Sequence, residues 1–406
     1  MKLRTIAILA VVLIVLAIAV TQMQKRLAVK KHAGPLPGDP VLTNFDANSV
    51  VQMNVSTRSA TNVFLKKNGT WVIATLYDYP ADFSRIVEQL RHLADMKVGQ
   101  VIRSRAEEMD EFGLSPGKAT LVTLQTGSSQ VMAKLAIGMP RMSKGEEPYG
   151  GYPDGNYLRV NDGPVLRVSQ KLPGWPSSGP EWMQRDVIAV PQQSVSEVSV
   201  TSKQGSYTVQ VQGMNQYSMD GLGEGEEVDK DVAGRLTRAL EAFNFLTVVN
   251  PAETNKDLGF GKPDQFVMKT KDGLTYTILL GGYTPTRERY ARVKVSYQTA
   301  QPPPTLEDVR KEMPPPNEEA LKPTTTNNYM GVVNAEFMKR KADYARKTGE
   351  LQKKASDQTE ATAKWTFVLN ELALGNMNIS RSQLIKKLQT AEEPEEQATT
   401  NPPKAK

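Results

Sequence analysis

The chain has 406 residues, a length typical of two or three domains. Apolar residues make up 39% and charged residues 23%, which favours sizeable hydrophobic cores, and the net charge of +6 is too small to indicate a nucleic-acid binder. The chain has no cysteine and only two histidines, which excludes disulfides, cysteine nucleophiles, thiolate zinc sites, iron–sulfur clusters and His-rich metal sites.

Residues 1–26 predict a transmembrane anchor. An uninterrupted apolar run covers residues 6–20, with basic residues on both sides of it. Together with its polar neighbours, the run approaches the ~20 residues that cross a bilayer as a helix. Residues 27–44 are then a juxtamembrane linker. The side chains expected to contact lipid are Ile6, Leu9, Val12, Leu13, Val15, Leu16 and Val20.

A cleaved secretory signal is the alternative, because Ala17-Ile18-Ala19 resembles a signal-peptidase site. An uncleaved anchor is favoured, since Leu, Ile and Val continue up to that site and a basic cluster follows. The flanking basic residues do not by themselves favour a cytoplasmic N-terminus. We nevertheless expect a single pass through the inner membrane with an extracytoplasmic, periplasmic body, the usual arrangement behind such a helix.

An internal repeat of about 145 residues follows the linker. Residues 49–55 match residues 194–200, and both stretches alternate apolar and polar residues as a half-buried strand does. A helix comes next in each copy, with apolar stripes at Ile86, Leu90 and Ala94 and at Val232, Leu236 and Leu240. Glycine-containing turns at 112–116 and 258–263 then lead into strand pairs.

The predicted fold class is therefore α+β, with two tandem copies of an antiparallel sheet that carries a helix on one face. The first copy covers residues 45–190. The second covers residues 191–297 and is completed by residues 364–389. Residues 298–363 are an insertion, Pro-rich at first and helical over 329–362, and residues 390–406 are a disordered tail.

The order of these features resembles a known family. Trp71, Pro80-Ala81-Asp82 and Phe112-Gly113-Leu114-Ser115-Pro116 are similar to the bacterial membrane proteins that carry the domain of unknown function 4340. The second copy departs from the family's aromatic-Gly-Leu turn, with Leu258-Gly259-Phe260. The resemblance implies a membrane-anchored envelope protein, often encoded near ABC transporters and auxiliary proteins of the gliding-motility type. It carries over no catalytic residue.

Three features of the sequence are candidates for a chemical role. His92 falls off the apolar stripe of its helix, which is typical of a surface histidine. The turn at 220–227 is glycine-rich, but its four carboxylates would repel phosphate and it lacks the EF-hand spacing. The glycine-rich loop at 145–155 carries tyrosines that could grip a sugar or peptide, although packing over its own sheet is favoured. We assign no catalytic, cofactor-binding or metal-binding residue.

The inserted helix is the main candidate for partner binding. Its apolar residues follow a narrow seam of coiled-coil type, and basic residues lie between them. The seam could dock on a partner helix or on anionic headgroups, or it could lie against its own domain, which is favoured because the seam is short. The candidate residues are Met330, Val333, Phe337, Tyr344 and Leu351, with Arg340 and Lys347.

The sequence thus predicts a non-enzymatic scaffold or accessory protein of an envelope complex, linked in one version to an ABC-type transporter. Its partners would be the lipid bilayer and an envelope protein, with no nucleic acid and no cofactor. The alternative is a glycan- or peptide-binding protein or hydrolase that acts between the two modules. An enzyme should show clustered, desolvated titratable groups, and a scaffold an exposed apolar patch.

Overall fold

The computed structural model describes residues 34–102, 106–143, 151–253, 257–314 and 326–387. The fold is α+β, with antiparallel sheets and few helices, and the chain divides into two compact units after Gln184. The predicted anchor and tail lie outside the described residues. Within the described ranges, no helix combines the length and the apolar character needed to cross a membrane.

The first unit contains a nine-stranded antiparallel sheet in its described part, in the order β4-β3-β2-β1-β6-β7-β8-β9-β5. Apolar and polar residues alternate along most strands, so that one face of the sheet forms the core. The strands are β1 Gln52–Ser56, β2 Thr61–Lys67, β3 Thr70–Ile73, β4 Tyr79–Pro80, β5 Val98–Ile102, β6 Thr120–Gln125, β7 Val131–Met142, β8 Pro153–Val160 and β9 Val165–Val168.

The helix of this unit, α1, spans Phe83–Asp95 and begins at an N-cap. The Asp82 carboxylate accepts a hydrogen bond from the Arg85 backbone N–H at 3.1 Å. The buried stripe is Ile86, Gln89, Leu90 and Leu93. Ala94, which the sequence placed on the stripe, is exposed, because Leu93 lies seven residues after Ile86 and returns to the same face.

The second unit contains an eight-stranded sheet in its described part, in the order β12-β11-β10-β15-β16-β17-β18-β14, and a separate pair of β13 with β19. The strands are β10 Val195–Ser202, β11 Gly205–Gly213, β12 Gln216–Met219, β13 Glu226–Val228, β14 Thr247–Val248, β15 Asp264–Thr270, β16 Leu274–Tyr283, β17 Arg289–Tyr297, β18 Phe367–Leu369 and β19 Ile385–Lys387. The helices are α2 Lys230–Thr237, α3 Leu306–Glu312, α4 Thr326–Ala363 and α5 Glu371–Gly375.

The predicted stripe of α2 is only partly buried within the helix. Asp229 caps α2 as Asp82 caps α1, with its carboxylate 3.0 Å from two backbone N–H groups. Leu236 is buried, Val232 is half-buried, and Leu240 is buried but lies beyond the helix end. The helix α2 of the second unit therefore begins with the same Asp N-cap as α1 but is shorter.

The strand orders of the two sheets correspond over eight positions, from β3 to β5 and from β12 to β14. The register also corresponds, since residues aligned across four strands occupy matching places in both sheets. These residues are Val55, Val122, Leu135 and Val160 in the first sheet, and Val200, Phe266, Ile278 and Val293 in the second.

Both units begin earlier in the chain than the sequence predicts. Residues 38–42 were assigned to the linker, but Gly38 N–H donates to the Val98 carbonyl at 2.7 Å and Val41 N–H to Met96 at 2.9 Å. Similarly, Val190 N–H donates to the Leu240 carbonyl at 2.7 Å. The segment 185–190 therefore belongs to the second unit, and residues 38–42 belong to the first.

The insertion packs on its own unit. The Thr359 hydroxyl of α4 donates to the Val295 carbonyl of β17 at 2.7 Å, and the buried Tyr276 hydroxyl donates to Gln358 at 3.3 Å. Burial raises the pKa of Tyr276 to about 12. Nearer its N-terminus, α4 packs on α3, where Val309 and Val333 are completely buried. The helix thus completes the core of the second unit.

Candidate functional site

The predicted seam of α4 faces its own unit. Met330, Phe337, Tyr344 and Leu351 are half-buried, and Val333 is completely buried and cannot contact another protein in this conformation. The interpretation that the seam lies against its own domain agrees with this geometry. The seam is therefore used mainly for folding.

The two basic candidates have different surroundings. Arg340 lies beside two carboxylates, Glu312 of α3 and Glu336 at 2.9 Å, and its hydrogen bond with Glu312 is the main reason that its pKa is raised. Lys347 is exposed. In the described part of the chain Lys347 has no ion pair. Of the two basic candidates, it is therefore the one whose charge is available to a ligand.

A second seam runs along the opposite face of α4, and the sequence analysis missed it. Small and apolar residues recur there at alternating spacings of four and three, the coiled-coil pattern, and all of them are exposed. Met338, the largest of these residues, is 62% exposed. The outer seam consists of Gly331, Ala335, Met338, Ala342, Ala345 and Gly349.

Charged residues flank the outer seam. Lys339, Arg346 and Lys353 follow the seam on one side, each exposed. Arg346 also reaches Asp343 at 3.4 Å and Glu350 at 3.2 Å, which neutralises part of this charge. The sequence contains this spacing, but alanine and glycine give a weaker apolar pattern than the larger residues of the predicted seam.

An open cleft of about 290 Å³ lies between α4 and the ends of β15, β16 and β17. We call it the α4 cleft. Three residues of the predicted seam, Tyr344, Lys347 and Leu351, contribute to it. The remaining lining residues are Lys271, Asp272, Tyr297, Thr299, Ala300, Gln301 and Thr348.

A shallow groove of about 870 Å³ follows the solvent side of α1. Phe83 is 60% exposed and Val87 is 41% exposed along it. His92 lies at its edge, with Nδ1 2.8 Å from the Glu88 carbonyl oxygen. The histidine is partly exposed and bonds to its own helix, as the sequence analysis expected of a surface residue.

Of the two other candidate segments, the structure describes the turn 220–227 fully and the loop 145–155 only from residue 151 onward. In the turn 220–227, the Glu226 carboxylate accepts from Gly223 N–H at 2.8 Å, and Arg381 donates to the Gly221 carbonyl. In the loop 145–155, residues 145–150 lie outside the described residues, and Tyr152 is exposed. Just beyond the loop, the Tyr157 ring lies 5.0 Å from the Phe112 ring.

The two glycine turns play the same structural role in their units. Gly113 has a φ of 66°, and the Phe112 carbonyl accepts from Met139 N–H of β7 at 3.0 Å. Gly259 has a φ of 74°, and the Leu258 carbonyl accepts from Gly282 N–H at 2.7 Å. In both units the turn holds the chain against the sheet, so the reversed order of Phe and Leu leaves the backbone unchanged.

Titratable groups of the described residues form no metal site of three or more His, Asp or Glu side chains. Among the described residues, four carboxyl groups have pKa values lowered from the usual range, because hydrogen bonds stabilise the charged form. The main donors are Lys118 for Asp110, Lys269 for Glu197, Thr284 for Glu288 and Thr305 for Asp308. None of these four groups is a lining residue of the α4 cleft.

These features define an α+β protein with a glycine turn against each sheet. A family model described as a domain of unknown function, DUF4340, matches residues 71–263. The match begins in β3, includes the turn at 112–116 and ends just before β15, so it crosses the boundary between the two units. No curated protein and no solved structure matches the chain.

Proposed function

We propose that the protein is a membrane-anchored, extracytoplasmic scaffold or accessory subunit of a bacterial envelope complex, with an ABC-type transporter as one candidate assembly. The observation that supports this most is the outer seam of α4. The corresponding place in the first unit, between β8 and β9, is a turn of only a few residues at 161–164. A long helix added to one unit, with a free coiled-coil face, suits binding to a partner helix.

Two further inferences accompany this proposal. The matching strand order and register support a duplicated module, each unit being one copy. The apolar run at residues 6–20 supports the membrane anchor. With the body starting at Gly38, the tether is short, which would keep the first unit close to the bilayer.

The chemistry of the outer seam specifies the partner. Small residues allow another helix to approach closely, and Met338 offers an apolar contact at its centre. The basic flank of Lys339 and Lys353 favours acidic residues at the edges of the partner helix. The expected partner is therefore an envelope protein with an acidic amphipathic helix.

Crosslinking and purification from membranes test the scaffold proposal. Replacing Ala342→Glu places a carboxylate in the outer seam, and it should abolish co-purification of the partner without loss of helix content. Ala361→Glu is the matched control, since Ala361 is exposed on α4 beyond the seam. Deletion of α4 is less informative, because it would uncover Tyr276. Recovery of the same partners with Ala342→Glu would contradict the proposal.

Fractionation tests the anchor separately. The full chain should sediment with membranes and resist extraction by carbonate, and a variant that lacks residues 1–26 should be released. Protease added to the outside of spheroplasts should digest the body. A full chain in the soluble fraction, or a body protected from protease, would refute the proposed localisation while leaving the helix-binding proposal open.

A further inference from the structure

We propose that the α4 cleft binds a small anionic molecule, a carboxylate carried on a six-membered ring. This proposal concerns the inward side of α4, opposite the outer seam. It is independent of the membrane anchor and of the partner helix.

The cleft has one wall fixed by backbone contacts. Gly273 has a φ of 96°, and a Cβ at this position would lie 2.0 Å from the Gln298 carbonyl oxygen. Gln298 N–H in turn donates to the Gly273 carbonyl at 3.0 Å. The hairpin end that carries Lys271 is therefore held tightly against the end of β17.

The opposite wall is fixed by Tyr344 of α4. Its hydroxyl donates to the Gln301 carbonyl at 3.1 Å and lies 2.9 Å from the Thr299 hydroxyl oxygen. Both residues belong to the segment that follows β17. The tyrosine ring is thus positioned without a ligand, and a preformed site loses less conformational entropy on binding.

The charges of the cleft favour an anion. Lys271 and Lys347 are both exposed, and neither has an ion pair among the residues that the structure describes. The Asp272 carboxylate accepts a hydrogen bond from the Thr270 hydroxyl. Two ammonium groups against one carboxylate leave a net positive site, and a ligand carboxylate would gain charge-assisted hydrogen bonds from the lysines.

The remaining surface favours a ring. Tyr297, Tyr344 and Leu351 are half-buried and contribute apolar surface, and Thr348 adds a hydroxyl. A volume of about 290 Å³ lies at the lower end of small-molecule sites, which suits a single ring. Sugar acids and aromatic carboxylates share this chemistry, because both have a six-membered ring with an apolar face and one carboxylate.

Calorimetric titration of the full chain in detergent tests the proposal with four probes. Glucuronate and 4-hydroxybenzoate carry both features, acetate lacks the ring, and glucose lacks the charge. We expect at least one ring carboxylate to bind with a Kd of about 1 mM or lower, and about tenfold more tightly than acetate or glucose. The tighter-binding ring carboxylate shows whether the natural ligand is a sugar acid or an aromatic carboxylate.

Two exposed lysines provide the variants. Lys347→Gln should weaken binding of the ring carboxylate about tenfold, as should Lys271→Gln, because each removes one charge-assisted hydrogen bond. Lys203→Gln, in the exposed turn between β10 and β11 and outside the cleft lining, should leave the Kd unchanged. The proposal is overturned if neither ring carboxylate binds with a Kd of about 1 mM or lower, if acetate or glucose binds as tightly as the ring carboxylates, or if Lys347→Gln has no effect.

Discussion

Each of the two sheets buries a polar side chain at an equivalent position, but the residue is neutral in the first sheet and charged in the second. By register, Asn156 of β8 occupies the place that Arg289 occupies in β17. The Asn156 side chain accepts a hydrogen bond from the Leu172 backbone at 3.0 Å. Arg289 is only 6% exposed, and it donates to Asp264 at 2.6 Å and to the Gly281 carbonyl at 2.9 Å. A buried polar group is tolerated in either sheet because it is hydrogen-bonded.

A second pair of equivalent positions shows the same contrast at the sheet surface. Gln52 of β1 lies opposite Gln125, whereas Glu197 of β10 lies opposite Lys269. The core-facing residues of these strands stay apolar in both units. The comparison teaches that the apolar face determines the register, while the outward positions can be neutral in one unit and charged in the other.

The largest effect is expected from breaking the buried ion pair. Arg289→Met would leave the mostly buried Asp264 carboxylate without its cation and the Gly281 carbonyl without its donor. We expect a loss of about 3–5 kcal/mol in the free energy of unfolding. Denaturant unfolding of the full chain measures the loss, and hydrogen exchange should place it in β15 to β17.

The uncharged residue Asn156, which occupies the equivalent position in the first unit, supplies the control. Asn156→Ala should cost only about 1–3 kcal/mol, since it leaves one backbone N–H unpaired. The double variant Asp264→Thr, Arg289→Asn places the first unit's residues in the second, because Thr120 is the counterpart of Asp264. It should be more stable than Arg289→Met. If Arg289→Met lowers the free energy of unfolding by less than Asn156→Ala does, this account is contradicted.

An intermediate effect is expected at the glycine turn. In Gly113→Ala the new Cβ would lie 2.8 Å from the Met139 backbone nitrogen, at a φ of 66°. Left-handed backbone and the clash together should cost about 3 kcal/mol. Gly117→Ala is the matched control, with a φ of 81° and open space around the Cβ, and should cost about 1 kcal/mol. Thermal unfolding compares them, and equal losses would show that the close approach is unimportant.

Much of the sheet architecture could be predicted because its signals are local. Alternation along β1 and β10 and the glycines at 113 and 259 indicate strands and turns directly. The segment 329–362 has helical spacing, and the structure places α4 there. Burial could not be predicted equally well. Leu93 rather than Ala94 faces the core, a choice that depends on how the helix is rotated against the sheet.

Other features could not be predicted, because they depend on contacts between distant backbone groups. Residues 38–42 were assigned to the juxtamembrane linker, since Val41 and Leu42 are the two apolar residues there and the pairing with Met96 and Val98 uses backbone atoms. The α4 cleft is similar. Its residues come from a hairpin turn, a strand end and a helix, and only packing brings Lys271 and Lys347 to one opening.

The smallest effect is expected at the surface pair of the second unit, and it depends on pH. The Glu197 carboxylate accepts from Lys269 at 2.9 Å and from Gln210 at 2.7 Å, and these hydrogen bonds, chiefly that of Lys269, hold its pKa below the usual value. A lowered pKa in the folded state contributes stability above the unfolded pKa, and this contribution is lost as the pH falls through the folded pKa.

Glu197→Gln should therefore lower the free energy of unfolding by about 0.5 kcal/mol near pH 7, because the pair is partly exposed. The difference from the wild type should shrink as the pH falls below the usual carboxyl range, since the wild-type carboxylate then becomes protonated. Gln52→Ala in the first unit should show no such trend. Denaturant unfolding at several pH values measures both variants. If the difference in the free energy of unfolding between the wild type and Glu197→Gln stays constant down to pH of about 3, the assigned pairing is wrong. An unpaired carboxylate would have the same pKa in the folded and unfolded states, and its replacement would then have no pH-dependent effect.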